Sequence, residues 1–364
     1  MKKPGLSLPI DAVASGRFDA IIDTRSPSEY AEDHIPGAVS APVLDDAERA
    51  EIGTLYKQVS PFDARKRGAA LVARNIARHL LDRFSDQGKA WKPLVYCWRG
   101  GKRSGAMAHV MREIGWDAAT LEGGYRSYRR WVVDRLEALP GQLDFRVIHG
   151  PTGSGKSRLI AALEKAGAQV LDLEALAAHR GSVLGTLPGR PQPSQKWFES
   201  QLLQALAALD PARPVFVEGE SRKIGEVQVP AALIERMRAS ACIALDTALP
   251  TRVTLLLDEY RHFVADRPAL EAQLDCLAAL HGRERIAEWK ALGARGEWRE
   301  FVRRLLVEHY DAAYGRSAER NFARLGDAPR LAIAGADVAA FADAAERLLE
   351  NRLAPLPLPL SRAA

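Results

Sequence analysis

Short apolar runs set against glycine-rich turns mark out the elements of this chain. Pro93-Leu94-Val95-Tyr96 is an apolar run suited to a buried parallel strand, and residues 104–111 after it carry helical spacing. The arrangement recurs further on. Residues 143–149 read as a strand and 158–164 as a helix, with a glycine-rich turn between them. Two more apolar runs, 168–171 and 214–217, end in acidic residues. Strands alternating with helices predict an α/β fold built on parallel sheets. A long insert, residues 45–83, precedes the 93–96 strand and contains Gly53-Thr54-Leu55-Tyr56-Lys57-Gln58 and a helix around 69–75. Pro140-Gly141 is a turn signal, which divides the chain into a first domain, 1–139, and a second, 140–364. The second domain becomes helical from about residue 265 to 321, and its 354–360 tail alternates proline with leucine, reading as extended chain. No internal repeat is apparent.

Composition narrows the class. The chain has 364 residues, 47% hydrophobic and 27% charged, as expected of a soluble globular protein of two ordinary domains. No run approaches the roughly 18 apolar residues of a membrane span, so no membrane partner is expected. Met1-Lys2-Lys3-Pro4 is not followed by the apolar stretch of a secretory signal. Three widely spaced cysteines form neither a disulfide framework nor a zinc cluster, and the expected compartment is the reducing cytoplasm. Net charge is +5. Arg283, Arg285, Arg295, Arg299, Arg303, Arg304, Arg316, Arg320 and Arg324 gather late in the chain, interleaved with Trp289, Trp298, Tyr310 and Tyr314. Such a stretch is either a surface that tracks a phosphate backbone and stacks an exposed base or a set of solvated amphipathic helices with aromatic core faces.

Candidate chemistry lies in two loops. In Cys97-Trp98-Arg99-Gly100-Gly101-Lys102-Arg103-Ser104, Cys97 stands at the carboxyl end of a strand, where open α/β sheets place ligands. Gly100 and Gly101 let the backbone turn its amides towards the sulfur. The positive end of the next helix and the cations Arg99, Lys102 and Arg103 favour a thiolate there. Cys242 and Cys276 read as core residues. The second loop, Gly150-Pro151-Thr152-Gly153-Ser154-Gly155-Lys156-Ser157, is the Gly-x4-Gly-Lys-Ser pattern in its strand–loop–helix setting. Amides of Gly150, Thr152, Gly153, Ser154, Gly155, Lys156 and Ser157 would surround a diphosphate, Lys156 would neutralise its outer phosphate, and Ser157 could ligate magnesium. Nearby acids, Asp172, Glu174, Glu218 and Glu220, either solvate strand ends or hold a metal or act as a base. A kinase or ATPase usually ends the second strand in aspartate; here it ends in glutamate.

The sequence resembles known families at these positions. Asp23-Thr24-Arg25-Ser26-Pro27-Ser28-Glu29-Tyr30, His34-Ile35-Pro36-Gly37-Ala38-Val39, the Cys97 loop and Leu121-Glu122-Gly123-Gly124-Tyr125 resemble a rhodanese domain. That resemblance implies a cysteine carrying transferred sulfur or selenium. Arg103 lies six positions after Cys97, one more than in most sulfurtransferase loops and as in rhodanese-fold phosphatases, which suggests a phosphate-bearing donor.

With the phosphate loop, Gly53 to Gln58, His179-Arg180-Gly181-Ser182 and Glu218-Gly219-Glu220-Ser221-Arg222-Lys223-Ile224-Gly225, the chain resembles the bacterial tRNA 2-selenouridine synthases. The resemblance implies replacement of sulfur by selenium at C2 of a wobble 2-thiouridine in a tRNA anticodon loop, with selenophosphate as donor. It also implies an S-geranyl intermediate made from geranyl diphosphate. Both are co-substrates, and no tightly bound cofactor is implied. Cys97 would accept or relay selenium while Arg99, Gly100, Gly101, Lys102 and Arg103 hold the selenophosphate oxyanion. Two other readings stay open: a rhodanese-fold phosphatase or sulfurtransferase regulated by ATP at the phosphate loop, and an RNA-binding module.

Overall fold

The computed structural model describes residues 6–182, 184–261, 263, 266–312, 322 and 324–350. Met1 to Pro4, Tyr314, Arg316, Arg320 and the 354–360 tail lie outside the described residues. The chain forms two compact units, Met1–Arg135 with Lys196–Gln204, and Leu136–Gln195 with Ala205–Ala364.

The first unit runs β1 (Ser7–Leu8), β2 (Ala20–Asp23), α1 (Pro27–Glu32), β3 (Val39–Ser40), α2 (Asp46–Gln58), α3 (Pro61–Asp82), β4 (Pro93–Tyr96), α4 (Lys102–Ile114), β5 (Ala119–Leu121) and α5 (Gly124–Ala138). Its five strands are parallel in the order β1-β5-β4-β2-β3. Val95 is thereby paired with Ile22 on one side and Thr120 on the other. A strand sheltered on both edges and both faces needs a continuous apolar run, and all four residues of β4 are buried. Met107 and Met111 of α4 pack on the sheet with Ile22, Val95, Trp91 and Trp116. Each fully buried side chain of this kind contributes about 1.5–3 kcal/mol. The 45–83 insert becomes the helix pair α2 and α3, and most of Gly53 to Gln58 faces solvent on α2.

Charge is also buried here. Arg25 clasps Asp23 through Nε at 3.0 Å and Nη2 at 2.7 Å, and its guanidinium lies 3.9 Å from the centre of the Tyr125 ring. The Tyr125 hydroxyl donates to the buried Asp33 carboxylate at 2.7 Å, and Ser200 donates to the other oxygen at 2.8 Å. Ser200 arrives on Lys196–Gln204, which also brings Trp197 onto the His34 ring (4.1 Å) and Lys196 onto Glu32 (2.6 Å).

The second unit runs β6 (Asp144–His149), α6 (Lys156–Lys165), β7 (Gln169–Leu171), α7 (Leu173–Ala177), α8 (Gln195–Ala207, whose Lys196–Gln204 stretch belongs to the first unit), β8 (Pro214–Glu218), the hairpin β9 (Lys223–Ile224) and β10 (Val227–Gln228), α9 (Ala231–Ala239), β11 (Ala241–Thr247) and α10 (Leu249–Glu259). A helical region follows: α11 (Arg267–Asp275), α12 (Ala278–His281), α13 (Arg283–Ala294), α14 (Trp298–Leu305) and a π-helical turn, Leu306–Asp311. β12 (Arg330–Ile333) and α15 (Val338–Leu349) complete it. The main sheet is again five parallel strands, β12-β11-β6-β8-β7, with β6 central. Helices α6 and α15 bury Leu159, Leu163 and Phe341 against Ile148, Phe216 and Ile243. Among the described residues no helix is long and apolar enough to cross a membrane.

One expectation changes. Cys276 is exposed, not a core residue, whereas Cys242 is buried. Leu270, Leu274 and Leu277 form the buried stripe at helical spacing, and Cys276 falls on the other side. Among the described late aromatic and basic residues, Trp289 is fully buried, and Arg285, Arg295, Arg303 and Arg304 are each paired with a glutamate, as solvated amphipathic helices with aromatic core faces would have them.

Arg25→Leu is expected to cost about 3–5 kcal/mol of unfolding free energy, because Asp23 stays buried without its counter-charge. Denaturant titration reads this. A loss under about 1 kcal/mol would show that the pair does not hold the end of β2.

Candidate functional site

Each candidate loop follows the central strand of a five-stranded parallel sheet, at its carboxyl end. In the first unit Cys97 follows β4 directly, and α4 begins five residues later. The Gly101 amide lies 3.3 Å from Cys97 Sγ, and the Ser104 hydroxyl donates to it at 3.3 Å. Burial pushes the thiol up, yet Ser104, through hydroxyl and amide, with the Gly101 and Arg99 amides, holds it below the ordinary thiol value. The lowering comes from hydrogen bonds rather than from the cations expected to produce it. Arg99 and Lys102 are exposed, and Arg103 is half-buried with its Nη1 2.9 Å from Glu29 Oε2. Glu29 also takes the Ser26 amide in a capping box at the start of α1. Gly100 adopts φ +65°, where a side chain would collide with the Leu121 carbonyl and approach the Gly124 amide.

In the second unit the phosphate loop leaves β6 and enters α6. Gly153 and Gly155 have φ of +76° and +87°, and added Cβ atoms would crowd Leu256 and the Phe341 ring. Lys156 Nζ donates to the Gly150 carbonyl at 3.3 Å, and Ser157 Oγ donates to Glu174 Oε2 at 2.8 Å. These groups line a cleft of about 790 Å³ with Asp172, Glu174, Glu220, His179 and Arg180.

The acids divide by environment. Asp172 caps α7 by accepting the Ala175 amide at 2.7 Å. Glu218, wholly buried at the end of β8, accepts the Leu173 amide through Oε2, and its Oε1 has no hydrogen-bond partner among the described residues. Burial raises its carboxyl well above the ordinary value, with Asp172 and Glu174 adding to the effect. Burial also raises Glu220 to about 7, with Lys156 opposing and Glu174, hydrogen-bonded to it, reinforcing.

The predicted residues thus gather into two groups: Cys97, Arg99, Gly100, Gly101, Lys102 and Arg103 in one unit, and 150–157 with Asp172, Glu218 and Glu220 in the other. Three residues earned no role from the sequence. Ser104 could have been suspected as a hydroxyl in the first turn of a helix that faces the thiol. His149 is buried just before the phosphate loop, with Nε2 unpartnered among the described residues, and burial with the Lys156 charge takes it down to about 4. Arg180 lies over the Tyr260 ring at 4.9 Å, with a buried Nη1 likewise unpartnered, and it lines the phosphate cleft. Only their placement in the fold reveals these last two.

Residues 143–281 match the family described as the tRNA 2-selenouridine synthase AAA domain, and residues 10–130 match the rhodanese-like domain. A tRNA 2-selenouridine synthase of Nitrosomonas europaea is 38% identical over 244 residues, 66% of this chain and 63% of its own length. One from Bdellovibrio bacteriovorus is 35% identical over 269 residues, 70% and 68% of the two chains. One from Alcanivorax borkumensis is 33% identical over 324 residues, 81% and 88%.

Ser104→Ala should move the pH midpoint of Cys97 alkylation upward by roughly one to two units, the worth of a hydrogen bond to a charged group. An unmoved midpoint in a folded variant would remove Ser104 from the thiolate's support. Inorganic diphosphate should bind more weakly as pH rises through about 7, where Glu220 acquires charge beside Lys156. Glu220→Gln should flatten that dependence in calorimetric titrations at several pH values; an equally steep profile would assign it to another group.

Proposed function

The chain belongs to the tRNA 2-selenouridine synthase family, and from that premise we propose that it exchanges sulfur for selenium at C2 of a wobble 2-thiouridine in tRNA. The observation that carries this reading is the pairing, in one chain, of a buried thiol held by amides and a hydroxyl with a glycine loop shaped for a diphosphate. Neither rhodanese-type transfer nor nucleotide hydrolysis alone calls for both.

Geranyl diphosphate places its diphosphate among the amides of Gly150, Thr152, Gly153, Ser154, Gly155, Lys156 and Ser157. The thiouridine sulfur attacks C1 of the geranyl group, the carbon–oxygen bond breaks, and the diphosphate leaves with its charge spread over amides, Lys156 and Arg180. The N3 proton of the thiouridine is lost in the same step, leaving a neutral S-alkylated base. Selenophosphate supplies selenium at Cys97, with the loop amides and the exposed Arg99 and Lys102 against its oxyanion. The selenium of selenophosphate attacks C2, the carbon–sulfur bond breaks and the geranyl thiol departs; water then cleaves the selenium–phosphorus bond, releasing phosphate and returning a proton to N3 of the 2-selenouridine. A single-stranded anticodon loop can present its unstacked base to such chemistry.

Among the described residues no group of three or more His, Cys, Asp or Glu side chains is placed to hold a metal by itself. The hydroxyl of Ser157 and the carboxylate of Glu174, in contact beside Lys156, are oxygen donors that would suit a hard cation such as magnesium. Such an ion would add charge stabilisation to the leaving group.

Two observations weigh against the regulatory alternatives. Arg103 is held by Glu29, so it is not free to complete a phosphatase ring. Glu218, where an ATPase ends its strand with an ionised acid, has a carboxyl raised well above the ordinary range.

Cys97→Ser is expected to abolish 2-selenouridine in nucleoside digests of tRNA read by mass spectrometry; undiminished product would end the role of the thiol. Lys156→Ala should weaken geranyl diphosphate binding by roughly tenfold or more, as removal of a charged hydrogen-bond donor does. Unchanged affinity would take the diphosphate out of this loop.

A further inference from the structure

Beside the polar phosphate cleft, within the same unit, lies a second cavity of opposite character. It measures about 40 Å³ and is lined by Leu256, Leu257, Tyr260, Phe301, Leu305 and Tyr310 among others, with Thr152 at its edge. Thr152, Leu256, Tyr260 and Tyr310 border both cavities, so the apolar space adjoins the phosphate loop and shares a wall with the cleft. The junction is built. The Thr152 carbonyl accepts Arg252 Nε at 3.0 Å and Nη2 at 2.8 Å, and the same guanidinium clasps Asp311 at 2.6 and 3.0 Å. Asp311 ends the π-helical turn that carries Leu306 and Tyr310 into the cavity wall. Gly153 packs directly on Leu256, where an added Cβ would stand 2.8 Å from Cγ. A widened helical turn of this kind is uncommon and recurs at functional sites.

We propose that this cavity takes the hydrocarbon chain of a prenyl diphosphate whose diphosphate sits at 150–157. The proposal rests on the reading above and says where the tail of that ligand goes. A nucleobase is a poor occupant, because its donors and acceptors would be buried against leucine and phenylalanine without partners. A chain of methyl and methylene groups has none to satisfy, and one end of it is already anchored by the loop next door. At about 40 Å³ the space has room for only a few waters, so α10 and α14 must part as the chain enters. An apolar slot closes in this way when empty, since unfilled cavity lining forfeits its contacts. Each methylene buried is worth about a fourfold gain in affinity.

The test compares geranyl diphosphate with inorganic diphosphate by calorimetry on the full chain. Leu305→Trp and the milder Leu257→Phe narrow the cavity at positions that do not line the phosphate cleft. The expected result is at least a tenfold loss of geranyl diphosphate affinity, with inorganic diphosphate unchanged within about twofold. Equal affinity of the parent and both variants for geranyl diphosphate would overturn the cavity's role while leaving the diphosphate loop intact. A parent chain that binds geranyl diphosphate no better than inorganic diphosphate would instead overturn the reading on which the proposal rests. Trp298 also lines the cavity and gives a readout that needs no narrowing variant. Geranyl diphosphate, but not inorganic diphosphate, should change the emission component that Trp298→Phe removes; identical responses to the two ligands would overturn the proposal.

Discussion

Two stretches of backbone in the first unit approach so closely that neither can carry a side chain, and the position of the thiol depends on that approach. Gly100 faces the Leu121 carbonyl and the Gly124 amide, while Gly124, at φ +57°, faces the Cys97 carbonyl and the Gly100 amide. Only glycine meets both demands at once, the left-handed backbone and the missing Cβ. The seal lets the Tyr125 amide take the Cys97 carbonyl at 2.8 Å. The Tyr125 ring lies over Arg25, and Arg25 is fixed by Asp23 at the end of the neighbouring strand. A continuous set of fixed groups therefore runs from β2 to the sulfur. The phosphate loop meets a similar demand with side chains, its glycines lying against Leu256 and Phe341.

The two loops treat negative charge differently. Around Cys97 the donors are neutral amides and a hydroxyl, while the nearest arginine of the following helix is committed to Glu29. Dipoles at hydrogen-bond range are little affected by dissolved ions, whereas surface cations are screened within about 10 Å at moderate salt. Around Lys156 the arrangement is mixed. Glu218 and Glu220 resist ionisation because they are buried beside other acids, so the cradle carries less opposing charge than its four carboxyl groups would suggest. Burial is what makes an acid-rich surround compatible with an anionic ligand.

Much of this was legible in the residues. The 93–96 run forms a strand because a central parallel strand must be apolar throughout, and the Gly-x4-Gly-Lys-Ser loop sits in the strand–loop–helix setting its spacing predicts. The source of the thiol's acidity was not legible. Charge is visible in a sequence, whereas the direction of a serine hydroxyl or the capture of Arg103 by a glutamate 74 residues away is not. Cys276 shows the same limit at smaller scale, since helical spacing names a stripe but one residue's step decides the side. The aromatic residues after 280 were ambiguous because stacking platforms and core faces use the same side chains. The apolar cavity was invisible for a related reason: its walls come from the phosphate loop, α10, α11, α14 and the π-helical turn, each of which reads separately as ordinary core.

The segment Lys196–Gln204 has a temporal consequence. It supplies Ser200 to the buried Asp33 and Trp197 to His34, yet it lies more than sixty residues beyond Arg135, the last residue of the unit's main stretch. During synthesis, at about 5–20 residues per second, the amino-terminal sheet would emerge several seconds before the helix that completes it. Over that interval Asp33 lacks one of its hydrogen-bond donors, and the nascent chain offers an incomplete surface to chaperones.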